Sequence, residues 1–258
     1  MELRRLFDLT GRVAIVTGGS RGLGWQIAEA LGEFGARIVL VARSAGALEE
    51  AAGRLRERGV SARAVALDLR DAGSVRTLVE SVRAHEGDVD ILVNNAGATW
   101  GAPAEDYPLD GWNKVMQLNV TAVFLLTQAV ARTFLLPQRR GAIVNVASVE
   151  GFLGHLPTRV GTVAYNASKG AVVNLTRALA AEWGRFGIRV NALAPGFFPT
   201  KMTAATLAEF SGEALACTPL GRLGGPDDLK GAALLLASDA GAHITGQILT
   251  VDGGATAV

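Results

Sequence analysis

Apolar, β-branched runs alternate along the chain with stretches whose apolar residues recur at helical spacing. The runs are continuously apolar, which is typical of strands covered by helices on both faces. Seven runs are predicted as strands: Val13–Thr17, Arg37–Ala42, Ala62–Leu67, Asp90–Asn94, Ala142–Ala147, Arg189–Leu193 and Gln247–Val251. Helices are predicted between them, over residues 22–34, 45–58, 72–86, 110–136, 163–186 and 227–238. This order predicts an α/β fold with a doubly wound parallel sheet and right-handed crossovers.

One segment breaks the alternation of strands and helices. Residues 196–225 include Pro199 and Pro219 and contain only a short helical pattern near 203–215. A long irregular excursion from a compact domain is often a lid over a binding site. Ligands of doubly wound sheets bind beyond the carboxyl ends of the strands. We therefore predict a single Rossmann-type domain over residues 1–258, with a substrate loop at about 196–225.

Composition excludes several classes of function. The chain has 258 residues and a net charge of +1, so it offers no basic field for nucleic acid. The single cysteine, Cys217, cannot form an internal disulfide and fits a reducing compartment. No apolar run approaches the roughly 20 residues of a membrane span, and no signal peptide is visible at the start. We expect a cytoplasmic protein with no nucleic-acid partner, no membrane segment and no metal site.

Two ionisable side chains lie on a helix face that should be buried. Tyr165 and Lys169 are four residues apart at the start of the helix predicted over 163–186, on its apolar stripe. A nearby ammonium favours the phenolate and lowers the pKa of a phenol from its ordinary value near ~10. The pair therefore predicts a general acid/base that works near neutral pH. A tyrosine anchored in the core beside a lysine that reaches to water would show the same spacing.

A glycine-rich turn follows the first predicted strand. Its pattern, Gly-x-x-x-Gly-x-Gly, is formed by Gly18, Gly22 and Gly24. Glycines let the main chain approach a pyrophosphate, and the helix that follows presents free N–H groups and the positive end of its dipole. A tight strand-to-helix turn with no ligand is the alternative, but the position directly after the first strand favours a dinucleotide.

The end of the second strand predicts which dinucleotide binds. An acid at this position accepts a hydrogen bond from the ribose 2′-hydroxyl, whereas a base accommodates a 2′-phosphate. The chain has Arg43 here and no acid before Glu49. Arg43, with Arg21 from the glycine turn, predicts NADP(H) rather than NAD(H) through charge-assisted hydrogen bonds. Asp68, at the end of the third strand, is predicted either to accept from adenine or to cap the next helix.

Polar residues follow or interrupt three further elements. Asn95, Ala96 and Gly97 follow the fourth strand, where small residues suit a flat ring that passes close to the main chain. Asn119 lies within the apolar face of the next helix, and a buried amide requires partners. Ser148 ends the fifth strand, where a hydroxyl can hold a substrate carbonyl.

Together these residues resemble the motifs of the short-chain dehydrogenases/reductases over essentially the whole chain. The matching segments are Thr17–Gly24, Asn94–Gly97, Asn119, Ser148, Tyr165–Lys169, Pro195-Gly196 and Val251–Gly254. The resemblance implies that Tyr165 transfers the proton and that Lys169 lowers its pKa and holds the nicotinamide ribose. It implies that Ser148 positions the carbonyl and that Asn119 anchors a proton-relay water. The family's members are usually tetramers, so the resemblance also implies a homotetramer.

The cofactor-binding set follows from the glycine turn, the strand ends and this resemblance. Thr200, after Pro195-Gly196, is implied to lie near the nicotinamide carboxamide. The complete set is Gly18, Ser20, Arg21, Gly22, Leu23, Gly24, Arg43, Asp68, Leu69, Asn95, Ala96, Gly97, Tyr165, Lys169, Pro195, Gly196 and Thr200.

One spacing departs from the family pattern. About four more residues than usual separate Ser148 from Tyr165, within the segment 151–161. A loop absorbs such an insertion at little cost in free energy, so the strand end and the helix start need not move. The insertion reshapes the mouth of the substrate site. Arg159 in it would meet an anionic substrate or, as for most loop charges, remain solvated; His155 lies in the same segment.

Two closer resemblances point to different substrates. Residues 94–101 and 111–119 resemble the β-ketoacyl reductase associated with rhamnolipid synthesis, whereas residues 6–9 and 182–187 resemble gluconate 5-dehydrogenases. We predict an NADP(H)-dependent oxidoreductase that reduces a 3-oxoacyl or similar β-keto substrate to a secondary alcohol. An NAD(P)-dependent sugar-acid or polyol dehydrogenase is the first alternative. A dinucleotide-binding regulator without turnover is the second, and the complete set of Asn119, Ser148, Tyr165 and Lys169 argues against it.

Overall fold

A computed structural model describes residues 2–154, 160–201 and 203–258. Within them, seven strands form one parallel sheet in the order β3-β2-β1-β4-β5-β6-β7. Their bounds are β1 Val13–Thr17, β2 Arg37–Ala42, β3 Ala62–Ala66, β4 Ile91–Asn94, β5 Gly141–Val146, β6 Ile188–Pro195 and β7 Ile248–Val251. The order reverses between β1 and β4, so the crevice at that point is the expected ligand site of the doubly wound fold. The predicted fold class is confirmed.

Helices cover both faces of the sheet. They are α1 Leu3–Leu6, α2 Gly22–Glu33, α3 Ala45–Glu57, α4 Ala72–Glu86, α5 Leu109–Gln138, α6 Val163–Trp183, α7 Ala204–Ala216 and α8 Lys230–Ala237. Two π-helical turns, Gln117–Thr121 and Ala131–Leu135, interrupt α5. The helix predicted to reach residue 186 ends at Trp183 and continues only as a 3₁₀ turn, since Gly187 adopts a left-handed conformation.

Two apolar layers hold the helices to the sheet. Buried side chains of α2, α3 and α8 pack on one face, and those of α4, α5 and α6 pack on the other. Every residue of β1 is buried, as its uninterrupted apolar sequence requires. The carboxyl ends of the central strands are therefore fixed from both faces, and the side chains that follow them have a rigid support.

Helix α5 is long and apolar enough to cross a membrane when only its length and composition are considered. This differs from the expectation that no such stretch exists in the chain. In the fold, the apolar side chains Leu126, Val130 and Phe134 are buried in the core between α5 and the sheet. Core helices of globular proteins meet the same criterion, so the length of α5 does not identify a membrane span.

Candidate active site

The glycine turn between β1 and α2 forms a cradle that side chains would fill. Gly18 and Gly22 have φ angles of 65° and 57°, which L residues adopt only with strain. A Cβ atom on Gly18 would lie 2.7 Å from Nδ2 of Asn95, and one on Gly24 would overlap the same atom. Helix α2 begins at Gly22 and points its free N–H groups into the turn. This arrangement fits the pyrophosphate of a dinucleotide.

Asn95 fastens the end of β4 to the glycine turn. Its Nδ2 donates to the main-chain oxygen of Thr17 at 2.9 Å, and Oγ1 of Thr17 accepts from the amides of Asn95 and Ala96 at 2.9 and 3.0 Å. The Asn95 side chain thus holds the turn in shape, in addition to lying at the edge where the cofactor is predicted. The sequence motif gave no indication of this contact.

The residues predicted to read the adenosine end lie after β2 and β3. Arg21 and Arg43 are exposed, as a phosphate clamp requires. Asp68 receives its hydrogen bonds from Arg70, which holds the pKa of the Asp68 carboxyl below its ordinary value. Arg43 lies close enough to Asp68 to lower that pKa further. The Leu69 side chain is buried in the core, which leaves its main chain for a ligand.

The proposal that Asp68 caps the next helix is wrong. Helix α4 begins after Asp71, whose Oδ1 accepts from the amide of Gly73 at 2.9 Å. Asp68 lies one turn earlier and bonds to Arg70 instead. The chain has two aspartates in four residues, and composition alone does not indicate which one reaches the helix start.

Lys169, Asn119 and Gly97 meet at the end of the sheet. Nζ of Lys169 donates to the main-chain oxygen of Val146 at 2.7 Å, at the end of β5. A Cβ atom on Gly97 would lie 3.4 Å from Oδ1 of Asn119 and 3.8 Å from Nζ of Lys169. Because Gly97 has no side chain, the space beside the Asn119 amide and the Lys169 ammonium stays open. A nicotinamide ring bound at this edge would need that space.

Asn119 is fully buried, and the π-helical turn of α5 points its amide at two neighbouring segments. Oδ1 accepts from the amide of Ala98 at 2.8 Å, while Nδ2 donates to the oxygen of Ala98 and to Oγ of Ser168, both at 2.9 Å. Ser168 in turn donates to the main-chain oxygen of Tyr165 at 2.7 Å. These bonds tie α5 to the first turn of α6. Ser168 was missed by the sequence analysis, because a serine within a helix carries no signal of its own.

Ser148 and Tyr165 face each other across the same edge. Ser148 is buried two residues after the end of β5, and its Oγ accepts from the amide of Glu150 at 3.2 Å. Because this amide occupies an acceptor site of Oγ, the hydroxyl proton of Ser148 is available for another partner. Interaction with the Ser148 hydroxyl lowers the pKa of the Tyr165 phenol. The two hydroxyl groups thus lie where one carbonyl oxygen can contact both.

Burial displaces the pKa values of Tyr165 and Lys169 in opposite directions. Desolvation raises the pKa of Tyr165 to about 12, and the charge of Glu150 raises it too. Desolvation lowers the pKa of Lys169 to about 8. The Lys169 ammonium lies 5.5 Å from the centre of the Tyr165 ring. In the protein chain alone, the pKa of Tyr165 is therefore raised and not lowered as the sequence predicts, because the loss of water around the phenol is the largest effect. The group that lowers this pKa is the Ser148 hydroxyl.

The turn after β6 brings a further segment to the glycine cradle. A Cβ atom on Gly196 would lie 2.8 Å from Cα of Asp252, so Pro195-Gly196 crosses close to the end of β7. The methyl group of Thr200 lies 3.6 Å from the position that a Cβ of Gly22 would take. Thr200 therefore borders the mouth of the glycine turn. His155 and Arg159 lie outside the described residues.

Comparisons with known proteins agree with this geometry. A family model described as enoyl-(acyl carrier protein) reductase matches residues 18–256. The chain is 43% identical to a gluconate 5-dehydrogenase of Gluconobacter oxydans, over 97% of each chain. It is 41% identical to a rhamnolipids biosynthesis 3-oxoacyl-[acyl-carrier-protein] reductase of Pseudomonas aeruginosa, over 96% of this chain and 97% of that one.

A solved structure matches along the full length. It is a gluconate 5-dehydrogenase from Burkholderia cenocepacia in complex with NADP and tartrate, 39% identical, with a TM-score of 0.94 over 100% of both chains. The similarity covers the sheet, the glycine turn and the segment after β6 together.

Proposed function

The chain is a member of the short-chain dehydrogenase/reductase family, and we propose that it reduces a ketone to a secondary alcohol with NADP(H). The substrate class we propose is a 3-oxoacyl or similar β-keto compound. The observation that carries the proposal is the meeting of Asn119, Ser148, Tyr165 and Lys169 at the sheet edge that also holds the glycine cradle.

Tyr165 is the proposed proton donor. With a pKa of about 12 the phenol stays protonated at neutral pH, so the proton for reduction is in place before the reaction begins. In reduction the phenolic O–H bond breaks, and the proton passes to the carbonyl oxygen of the substrate. NADP(H), when bound, supplies the hydride that completes the alcohol carbon. General acid catalysis by a positioned group typically contributes 10²–10⁴-fold to a rate.

The remaining three residues position this transfer. The Ser148 hydroxyl donates to the same carbonyl oxygen and stabilises the negative charge that develops on it. Lys169 carries its charge at neutral pH, because its lowered pKa of about 8 still lies above 7, and this charge offsets the negative charge on Tyr165 after transfer. Asn119 holds the first turn of α6 in place through Ser168, and we propose that its main chain anchors the water that returns a proton to Tyr165.

NADP(H) is the proposed cofactor because of the charges after β1 and β2. Arg21 and Arg43 are exposed beside the glycine turn, and no acid ends β2 to accept from a ribose 2′-hydroxyl. The similar Burkholderia enzyme holds NADP in its crystal structure. We propose that Arg43 and Arg21 bind the 2′-phosphate and that the amides of Gly22, Leu23 and Gly24 bind the pyrophosphate.

A second candidate function is oxidation or reduction of sugar acids or polyols. The 43% identity to a gluconate 5-dehydrogenase favours it, whereas the 41% identity to a 3-oxoacyl reductase favours a β-keto substrate. Two exposed apolar side chains lie on segments that flank the site: Trp100 follows Ala98, which bonds to Asn119, and Val160 precedes the helix that carries Tyr165. They fit a carbon chain better than a hydroxylated one. This difference is the basis for placing the β-keto reading first.

A turnover screen tests the proposal. The purified protein is assayed with β-ketoacyl thioesters, β-keto esters, diketones and keto-gluconates, each with NADPH and with NADH, by loss of nicotinamide absorbance. We expect turnover of the β-keto compounds with NADPH. Turnover of keto-gluconates alone would assign the second function, and a strong preference for NADH would refute the role of Arg43.

We propose that the enzyme is a cytoplasmic homotetramer. Strand β7 is an edge strand of the sheet with Leu249 exposed, and Phe124 is exposed on the outer side of α5. Uncovered strand edges and apolar side chains are typical of subunit interfaces. Light scattering coupled to gel filtration is expected to give about four times the mass of 26.8 kDa. A monomer at micromolar concentration would contradict the assembly but not the activity.

A further inference from the structure

The first turns of α6 carry two adjacent rows of residues. Tyr165 and Lys169 form the row that takes part in the proposed reaction. Asn166 and Gly170 form the row beside it, because residues four apart lie on the same face of a helix. This second row has no part in the mechanism described so far, and it contacts the segment that follows Ser148.

The main chain of this segment packs directly against α6. Val149–Gly151 forms one 3₁₀ turn, capped by Oγ of Ser148. A Cβ atom on Gly151 would lie 2.9 Å from the carbonyl carbon of Lys169, and one on Gly170 would lie 3.5 Å from the main-chain oxygen of Gly151. Van der Waals packing of this kind sets how far the turn lies from α6, whereas hydrogen bonds, which are directional, set where it lies along the helix.

Asn166 supplies these hydrogen bonds. Its Nδ2 donates to Oε2 of Glu150 at 2.6 Å and to the main-chain oxygen of Leu153 at 3.2 Å. Its Oδ1 accepts from Oγ1 of Thr162 at 2.9 Å, which determines the orientation of the amide. One side chain thus joins the turn after Ser148 to the start of the helix that carries the phenol.

The same bonds lie at both ends of the segment 151–161, which is longer than the family pattern. Leu153 lies near its beginning, and Thr162 directly follows its end. The amide of Ala102 donates to the main-chain oxygen of Gly161 at 3.0 Å and holds that end a second time. Because Asn166 joins the two ends, the extra residues between them do not set the distance from Ser148 to α6.

We propose that Asn166 is the residue that positions Ser148 against Tyr165, by holding the turn after Ser148 on α6. The inference rests on the proposed function, in which the Ser148 hydroxyl stabilises the charge that develops on the carbonyl oxygen. Oγ of Ser148 accepts from the amide of Glu150, so a displacement of the turn moves the hydroxyl with it. A displacement of about 1 Å at a reacting group can cost on the order of 10²-fold in rate.

A double-mutant cycle between Asn166 and Ser148 tests the proposal. Values of kcat and KM for ethyl acetoacetate with NADPH are measured for the wild type, Asn166→Ala, Ser148→Ala and the double variant. For Asn166→Ala we expect kcat to fall roughly tenfold or more, with NADPH affinity within about twofold of wild type. The double variant should lie within about twofold of Ser148→Ala, because the position of the hydroxyl no longer matters once it is absent.

Asn174→Ala is the matched control, because Asn174 is exposed on the same helix, and it should leave both constants unchanged. Losses that multiply in the double variant would overturn the proposal, since Asn166 would then not act through Ser148. A kcat of Asn166→Ala equal to that of the wild type would also overturn it. Circular dichroism verifies folding. If Asn166→Ala does not fold, Asn166→Asp, which keeps the shape but cannot donate, takes its place with the same expected results.

Hydrogen exchange of main-chain amides tests the contact without turnover. The amides of residues 150–153 all donate within the turn, to Ser148 or to Val149. In Asn166→Ala these amides should exchange faster than in the wild type and in Asn174→Ala, while those of residues 172–183 keep their rates. If the wild type reduces no ketone, the proposed function fails and the exchange decides the inference: unchanged rates at 150–153 would overturn it.

Discussion

The same burial acts on two ionisable side chains of one helix turn with opposite results. It raises the pKa of Tyr165 to about 12 and lowers that of Lys169 to about 8. Removal of water disfavours the charged form of each group, which is the anion for a phenol and the cation for an amine. Of the two groups, only Lys169 therefore has its pKa moved towards neutral pH, whereas the pKa of Tyr165 moves away from it. Pairing of titratable groups with displaced pKa values is typical of catalytic sites.

The buried lysine makes a prediction about stability and pH. The unfolded chain binds the Lys169 proton up to about 10.5, whereas the folded chain releases it near 8. Between these values the unfolded state holds more protons, so the free energy of unfolding of the wild type rises with pH relative to that of Lys169→Met. The rise is at most about 3 kcal/mol. The raised pKa of Tyr165 lowers the free energy of unfolding above pH 10. Because Tyr165 is present in both proteins, this effect cancels in the difference between the wild type and Lys169→Met.

Urea unfolding of both proteins at pH 7 and pH 10 measures this difference. Lys114→Met serves as the control, because Lys114 is exposed and its variant should show no such dependence. A difference between the wild type and Lys169→Met that is the same at both pH values would contradict a depressed pKa for Lys169.

A second prediction at this scale concerns Arg43. Replacement by alanine removes a charge-assisted contact to the 2′-phosphate, each of which is worth about 1.5–3 kcal/mol. For Arg43→Ala we expect kcat/KM with NADPH to fall roughly 10- to 100-fold, while the value with NADH changes little. Arg76→Ala, at an exposed site on α4, should leave both unchanged. An unaltered NADPH/NADH ratio in Arg43→Ala would remove the argument for NADP(H).

Among the elements, the turn between β1 and α2 depends most on its glycines. A methyl group on Gly24 would overlap Nδ2 of Asn95 and approach the main-chain oxygen of Gly18 at 2.6 Å. Gly24→Ala should therefore lose NADPH affinity and lower the melting temperature. Gly46→Ala is the control: apart from the adjacent backbone of α3 itself, no atom lies within 4 Å of the added methyl group, so this variant should not lower the melting temperature. Scanning fluorimetry measures the melting temperature of each variant, and NADPH titration measures its cofactor affinity. Equal changes in Gly24→Ala and Gly46→Ala would contradict the close packing of the turn.

Strands and helices could be predicted from the sequence because burial on both faces leaves a plain apolar pattern. Strand β6 ends two residues later than predicted, at Pro195, because it continues to pair with β7 after the apolar run ends, whereas β4 begins one residue later than predicted, at Ile91. The π-helical turn at Asn119 could not be predicted. One extra residue in a helix leaves the apolar spacing of α5 nearly unchanged, so the turn is visible only in the backbone of the folded helix, where the Asn119 amide bonds to Ala98 and Ser168.

A network of hydrogen bonds between buried polar side chains lies beneath the site, and the sequence did not predict it. Asn94 donates to Thr127 and to Asn145, and Asn145 donates to Thr176, at 2.8 to 2.9 Å. These residues belong to β4, β5, α5 and α6, which are distant in sequence. Each looks like an isolated polar residue in an apolar run, so only the assembled fold shows that they satisfy one another.

At the scale of the whole molecule, topology determines where the chemistry lies. The ends of β1, β4, β5 and β6 meet on one edge, next to the point where the strand order reverses. The sequence allowed this edge to be predicted as the site, because each candidate follows a strand. It did not allow the mouth to be predicted, because the sequence pattern of 151–161 and of 196–225 does not determine which residues these segments approach. The position of Thr200 beside Gly22, for example, arises only in the fold.

The central claim is that Tyr165 is the proton donor of an NADP(H)-dependent reductase, and one variant tests it. The measurement is the rate of NADPH oxidation by wild type and Tyr165→Phe with a β-keto ester, together with NADPH affinity from cofactor fluorescence. The account predicts a rate lowered by at least 10²-fold with NADPH affinity within about twofold of wild type, since only a hydroxyl is removed. A Tyr165→Phe protein that keeps most of its rate would contradict the account.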